Sequence, residues 1–339
     1  MNIIIISCFY KQSMATTMRG CFNILSTLAI GLLALAAPLR AEFAHVANSL
    51  GTGGYVSAFR IDPTTGALTP IPGSPFPAGS VPISVAVDPL GKFAYVANEL
   101  DNTVSAYSID SETGALARIP GSPFATGIYP LSVAVDPSGK FAYVSNGSSS
   151  VSEYSIDPTT GALTPIPGSP LPAGNTPYSI ALDPSGKFAY VANDGGSNIL
   201  AYSIDPTTGA LTSIPGSPFP TGPNPFSVAL DPSGKFAYVA NYSTNNVSAY
   251  SIDPPTGALT QIPGSPFATG FAPYSVAVDP SGKFAYVANS NTSTVSAYSI
   301  DPPTGALTQI PGSPFATGTN PFSVAVDSFG RFRLRGKLH

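Results

Sequence analysis

The sequence predicts an all-β fold, a β-propeller of about six four-stranded blades, on three observations. A string reading F-A-Y-V-A-N or a close variant begins at Phe43, Phe93, Phe141, Phe188, Phe236 and Phe284. Successive copies lie 47 to 50 residues apart, which suits one propeller blade per repeat. Within each repeat, short runs of β-branched and aromatic residues alternate with Pro, Gly and Asp clusters, a strand-and-turn pattern with no helical period.

The unit 225–269 shows each element in order. Residues 226–230 form the inner strand, and Asp231-Pro232-Ser233-Gly234 supplies a type I turn with aspartate first, proline second and glycine last. Residues 236–240 make the second strand, 241–246 a polar loop, and 247–252 a third strand alternating Val, Ser, Ala, Tyr, Ser, Ile. A further turn at 253–257 leads to an outer strand at 258–262. The inner strand sets small residues, Ser227 and Ala229, against larger ones, Phe226, Val228 and Leu230. Stacked blades can then meet small side to large side without voids.

The inner strand occurs six times, near 83, 131, 178, 226, 274 and 322, while the first unit, from Glu42, lacks one. The expected closure is therefore a clasp in which the last inner strand, 322–326, joins the first unit and leaves no open edge. The alternative is a truncated seven-bladed propeller, because Ser328-Phe329-Gly330-Arg331-Phe332 begins another copy before the pattern degenerates.

Residues 1–41 differ from the rest. An apolar stretch at 22–37 is preceded by Lys11 and Arg19 and followed by Leu39-Arg40-Ala41, which reads as a signal peptide cut after Ala41. The stretch falls short of the ~20 residues a spanning helix needs. The predicted division is thus 1–41 signal peptide, 42–330 propeller and 331–339 an irregular basic tail, in a secreted or periplasmic protein. Cys8 and Cys21 both lie in the leader, so the body has no disulfide or thiol chemistry. Between residues 42 and 330 there are 18 acidic and seven basic residues, and such a body repels nucleic acid and anionic membranes. No membrane insertion is expected after cleavage, and a monomer is expected.

Units reading V-A-V-D-P-S-G-K-F-A-Y-V-A-N and then V-S-A-Y-S-I-D-P-T-T-G-A-L-T resemble the lactonase-like β-propeller family with YVTN-type repeats, which includes 6-phosphogluconolactonase-type enzymes. The resemblance spans about residues 42–330. It implies a propeller, usually of seven blades, and in the lactonases a site of histidine, glutamate and arginine around one mouth of the central channel. Past the leader, histidine occurs here only at His45 and His339, and no residues match such a cluster.

The candidate catalytic residues are His45, Glu99 and Asp101. His45 replaces the tyrosine of the other five second strands (Tyr95, Tyr143, Tyr190, Tyr238, Tyr286), either as a base or as a packed ring in an aromatic slot. The loops between second and third strands differ most among the copies, so ligand contacts are expected there, at Glu99, Asp101, Asp194, Asn241, Tyr242 and Asn291. The repeated aspartates, such as Asp88 and Asp231, precede proline or sit in turns, where they cap backbone amides. The lysines Lys92, Lys140, Lys187, Lys235 and Lys283 are spread around a wide ring, whereas a sugar phosphate needs convergent positive charge. No metal site and no cofactor is expected. The primary expectation is an exported scaffold holding a small molecule, glycan or protein on its variable loops. The alternative is a lactone hydrolase of the 6-phosphogluconolactonase type, with water activated by Glu99, Asp101 or His45.

Overall fold

The structure is a computed structural model that describes residues 42–50, 53–62 and 65–326, together with the short strands Ile6–Ser7 and Phe332–Leu334. It is a β-propeller: six antiparallel sheets follow one another along the chain, and the single helical turn among the described residues is Asp194–Gly196. The fifth sheet shows the plan. Strands Pro225–Leu230, Phe236–Asn241, Asn246–Ile252 and Leu259–Gln261 pair in chain order. A fifth, two-residue strand, Phe267–Ala268, then returns beside the third. That piece comes from the proline-rich loop entering the next blade, so each four-stranded path carries one more short strand than the sequence pattern suggested. No helix among the described residues is long and apolar enough to cross a membrane.

The turn aspartates behave as their sequence context predicts. Asp231 accepts the backbone N–H groups of Ser233, Lys235 and Phe236 at 3.0, 2.7 and 2.7 Å, and Asp136 repeats the pattern. A buried carboxylate with this many donors is satisfied by its own turn.

Three sets of contacts rivet the sheets to their neighbours. The second-strand tyrosines donate to a glycine carbonyl of the following sheet: Tyr95 to Gly161, Tyr190 to Gly257 and Tyr238 to Gly305, each at 2.9 Å, and Tyr143 to Gly209 at 2.7 Å. The phenylalanine two residues earlier lies over the same glycine, and a Cβ on Gly209 would stand 2.3 Å from the Phe141 ring. The third-strand tyrosines reach the preceding sheet, with Tyr107 donating to the Pro77 carbonyl at 2.6 Å and Tyr250 to that of Pro220 at 2.7 Å. Nearer the axis, each inner strand donates to a serine of the one before. Val133 reaches Ser84 at 3.1 Å, Val228 reaches Ser179 at 3.5 Å and Val276 reaches Ser227 at 3.2 Å.

The predicted clasp is not the pairing found. Val324–Val326 pairs with Phe332–Leu334, and the inner position of the first sheet holds Ile6–Ser7, with Ile6 opposite Val46 and Ser7 opposite His45. Val324 donates to Ser275 at 3.3 Å, which either closure would allow; what excludes the clasp is that the last inner strand takes Phe332–Leu334 as its partner while Ile6–Ser7 fills the inner position of the first sheet. The last inner strand thus starts a two-stranded sheet of its own. Phe284 accordingly stays 37% exposed, whereas Phe93, Phe141, Phe188 and Phe236 are only 6–7% exposed beneath a neighbouring glycine turn. The apolar stretch 22–37 and the cleavage position after Ala41 lie outside the described residues, as does most of the basic tail.

His45 fills the tyrosine slot. It is fully buried, and its Nε2 lies 3.2 Å from the Gly114 carbonyl oxygen, the same interblade link that the tyrosines make. Its Nδ1 has no partner, so a proton there would be a buried, unpaired charge. Burial therefore lowers its pKa to about 4. The unfolded chain takes up the proton near pH 6.5, so between there and pH 4 it binds more protons than the folded chain does. The stability supplied by neutral His45 is fully present above pH 6.5 and is lost as pH falls, by up to about 3 kcal/mol near pH 4. His45→Tyr is expected to remove this slope, so that its melting temperature gains on the parent as pH falls from 7 to 4. Parallel melting curves across that range would rule the account out.

Candidate functional site

One mouth of the propeller is built by two residue positions that recur from the second sheet onward. The first follows the proline that opens the inner strand: Ile83, Leu131, Tyr178, Phe226, Tyr274 and Phe322. Pairing jumps at this point, since Pro225 faces Asn241 and Ser227 faces Ala240. Phe226 therefore has no cross-strand partner, and the bulge releases it from the alternation of the sheet. The other complete sheets beyond the first share the irregularity.

The second position follows the asparagine that ends the second strand: Glu99, Gly147, Asp194, Tyr242 and Ser290. Each backbone N–H is pinned to the carbonyl of the residue before the opening proline. Glu99 donates to Val81 at 3.0 Å, and Asp194 to Thr176, Tyr242 to Asn224 and Ser290 to Ala272 each at 2.9 Å. The accepting residues are left-handed, with φ of +52° at Val81 and +56° at Thr176, a conformation that β-branched side chains rarely adopt. Held strain of this kind gathers where a fold positions functional groups.

On one side of the mouth these positions carry a continuous aromatic cluster. Tyr178 stacks on Phe226 with centroids 4.6 Å apart, Phe226 meets Tyr242 at 4.8 Å and Tyr274 at 4.9 Å, and Tyr274 meets Phe322 edge-on at 4.9 Å. The Tyr178 and Tyr274 hydroxyls bond to each other over Phe226. Phe226, Tyr242, Tyr274 and Phe322 line an open cleft of about 420 Å³ together with Asn291, Asn320 and the buried Ser290, whose hydroxyl donates to the Ala272 carbonyl. Rings on the floor and a few neutral polar groups at the edge are the usual make-up of a small-molecule site.

Two carboxylates face the phenols. Burial, foremost, pushes the Tyr178 and Tyr274 hydroxyls above their ordinary pKa; their interaction with each other comes next, raising Tyr178 and lowering Tyr274, and the charges of Glu99 and Asp194 add a smaller upward push to both. Glu99 comes from the second sheet, across the mouth from the aromatics, and partial burial raises its own carboxyl pKa. Asp194 is held by Asn224, whose Nδ2 donates to it at 2.8 Å. Among the described residues no group of three or more His, Cys, Asp or Glu is placed to hold a metal ion.

The sequence candidates separate accordingly. Glu99, Asp194 and Tyr242 occupy the second mouth position, and Asn291 lies on the cleft rim. Asp101 accepts the Ser80 N–H at 2.7 Å and braces a loop. Asn241 is fully buried, donating to Asn246 and Ser248 at 2.8 Å each and accepting from Thr221 at 3.0 Å, so its amide is committed to the fold. His45 lies between the first two sheets and does not join Glu99 or Asp101 at the mouth. Sequence reasoning missed Tyr178, Tyr274, Phe322 and Asn320 and placed Phe226 between blades. A signal existed, because the residue after the opening proline is aliphatic in two copies and aromatic in four. Glu153, a buried acid where most third strands have alanine, accepts the Leu211 N–H at 2.8 Å between sheets.

A sequence model of the family described as lactonase, seven-bladed β-propeller, matches residues 42–230 and 215–325. The chain belongs to this lactonase family. The solved structures that resemble this lactonase-family propeller include a periplasmic gluconolactonase of Pseudomonas aeruginosa, with 20% identity, 89% of this chain and 86% of that one covered, and a TM-score of 0.72. A Bacteroides uniformis protein provisionally described as a 6-phosphogluconolactonase has 20% identity over 81% and 82% of the two chains, with a TM-score of 0.72. Hydrazine synthase of Kuenenia stuttgartiensis has 20% identity over 85% and 87%, with a TM-score of 0.63. At these identities the likeness is one of fold, which hosts more than one chemistry. No curated protein matches the chain.

Proposed function

We propose that this lactonase-family propeller is exported and hydrolyses a sugar lactone at the aromatic mouth. The observation that carries the reading is an aromatic cleft holding the bonded pair Tyr178 and Tyr274, at a mouth whose second position is Glu99 in the second sheet and Asp194 in the fourth. Family membership and a neighbour named as a gluconolactonase support it, and that neighbour's periplasmic setting agrees with the apolar leader. The lactone ring rests on Phe226 and Tyr274. Glu99, whose carboxyl burial has already made more basic, takes a proton from water as the water oxygen bonds to the carbonyl carbon. A phenol hydrogen of the tyrosine pair stabilises the oxyanion. The ring C–O bond then breaks, its oxygen takes the proton back from Glu99, and an aldonic acid leaves.

The test is hydrolysis of glucono-δ-lactone by the purified protein, with the spontaneous rate subtracted. Catalysis above background is expected, and Glu99→Gln should lower kcat by about a hundredfold or more with little change in KM. A parent protein no faster than buffer on a panel of sugar lactones overturns the hydrolase reading. If sugars still bind, the mouth acts as a carbohydrate-holding scaffold, the role that its variable loops would also serve.

A further inference from the structure

We infer that the ligand of this mouth is an uncharged sugar ring, in the lactonase reading an unphosphorylated lactone, and that Glu99 and Asp194 exclude the phosphorylated form. The charge layout carries this inference, which rests on the lactonase reading only for the word lactone. Lys92, Lys140, Lys187, Lys235 and Lys283 follow the turn joining the inner and second strands. In an antiparallel sheet that turn lies at the opposite end from the loops that form the mouth. Arg60 is engaged at the flank of the first sheet, donating to the Glu112 carbonyl at 2.7 Å over the Phe43 ring. Arg118 lies over Tyr107, 6.0 Å from its centroid. These seven cations therefore lie away from the mouth.

What the mouth does present is acidic or neutral. Glu99 and Asp194 hold the second mouth position, anchored through their backbone N–H groups to Val81 and Thr176, and Asn291 and Asn320 supply neutral amides to the cleft. A phosphoryl group is recognised through converging charged donors, and here it would meet two carboxylates in a partly desolvated setting where repulsion is poorly screened. Neutral hydroxyls suit these amides, which can both donate and accept. The aromatic faces offer broad apolar area to the C–H side of a flat ring. The same repulsion favours release of the carboxylate product. Arg331, Arg335, Lys337 and His339 fall outside the described residues, as does the Arg333 side chain, so the test includes them.

The test compares kcat/KM for glucono-δ-lactone and its 6-phospho form at low and high salt, beside saturation-transfer NMR with glucose and glucose 6-phosphate. The neutral lactone is expected to be favoured by at least about tenfold at low salt, the gap narrowing as salt screens the carboxylates. Glucose is expected to bind and glucose 6-phosphate not to. Equal or preferred use of the phosphorylated lactone overturns the inference and leaves the hydrolase reading intact. So does phosphorylated-lactone use that disappears when Arg331, Arg333, Arg335 and Lys337 are all changed to alanine, which would place phosphate recognition in the tail. Binding of glucose alone with no hydrolysis supports the inference and overturns the hydrolase reading. Binding of neither sugar with no hydrolysis overturns both.

Discussion

Gly209→Val is expected to destabilise the protein by about 2–5 kcal/mol, a large share of the 5–15 kcal/mol that holds a typical domain together. Gly209 has φ of +75°, where a β-branched residue costs roughly 1–3 kcal/mol. Its added Cβ would stand 2.3 Å from Cδ1 of Phe141, and overpacking of that kind costs roughly 1–3 kcal/mol more. The Phe141 ring cannot retreat without opening the seam between the third and fourth sheets. The Gly209 carbonyl also accepts the Tyr143 hydroxyl at 2.7 Å, so backbone movement at the glycine strains a buried hydrogen bond as well. Urea denaturation measures the loss. Gly53→Val is the control, since a Cβ there meets nothing within 4 Å, and its effect should stay within about 0.5 kcal/mol. Equal stability of the two variants would show that the ring-over-glycine contact does not rivet the blades.

Tyr274→Ala is expected to lower kcat/KM for a sugar lactone by at least about thirtyfold, the mark of a central aromatic contact. Tyr274 meets Tyr178, Phe226, Tyr242 and Phe322, so its removal breaks the floor of the cleft in the middle. Tyr274→Phe keeps the ring and removes only the hydroxyl that bonds Tyr178. It should therefore lower kcat while leaving KM near that of the parent, separating the seat for the sugar from the hydrogen-bonding pair above it. Tyr274→Phe keeps all four ring contacts, so its thermal melting should shift little, whereas Tyr274→Ala should melt lower and is assayed well below its transition. Unchanged kinetics in Tyr274→Ala would remove the aromatic mouth as the site.

The repeat made the sheets legible because their causes are local. Asp231-Pro232-Ser233-Gly234 turns the chain wherever it occurs, and the asparagine-ended second strand recurs with its turn. The mouth was harder to read. Glu99 and Asp194 stood out as acids outside the repeated turns, but Asn241 looked like a loop polar group and proved to be a buried brace. His45 differed from its five tyrosine counterparts and suggested chemistry, although burial against Gly114 gives it the tyrosine's structural task.

By itself the sequence determined the β-propeller, the order of strands in each blade and the capped turns, because each depends on residues close together in the chain. The tertiary structure decided three things. A bulge after the opening proline takes Phe226 out of strand alternation, so side-chain parity alone assigned it to the blade interface instead of the mouth. The bearing of Glu99 on Tyr178 and Tyr274 joins residues from three sheets, and their convergence arises only when the blades circle a common axis. The last inner strand could pair with the first unit by pattern alone. Its pairing with Phe332–Leu334, the filling of the first sheet's inner position by Ile6–Ser7 and the exposure of Phe284 decide against the first unit, because strand pattern alone does not say which edge a strand meets in space.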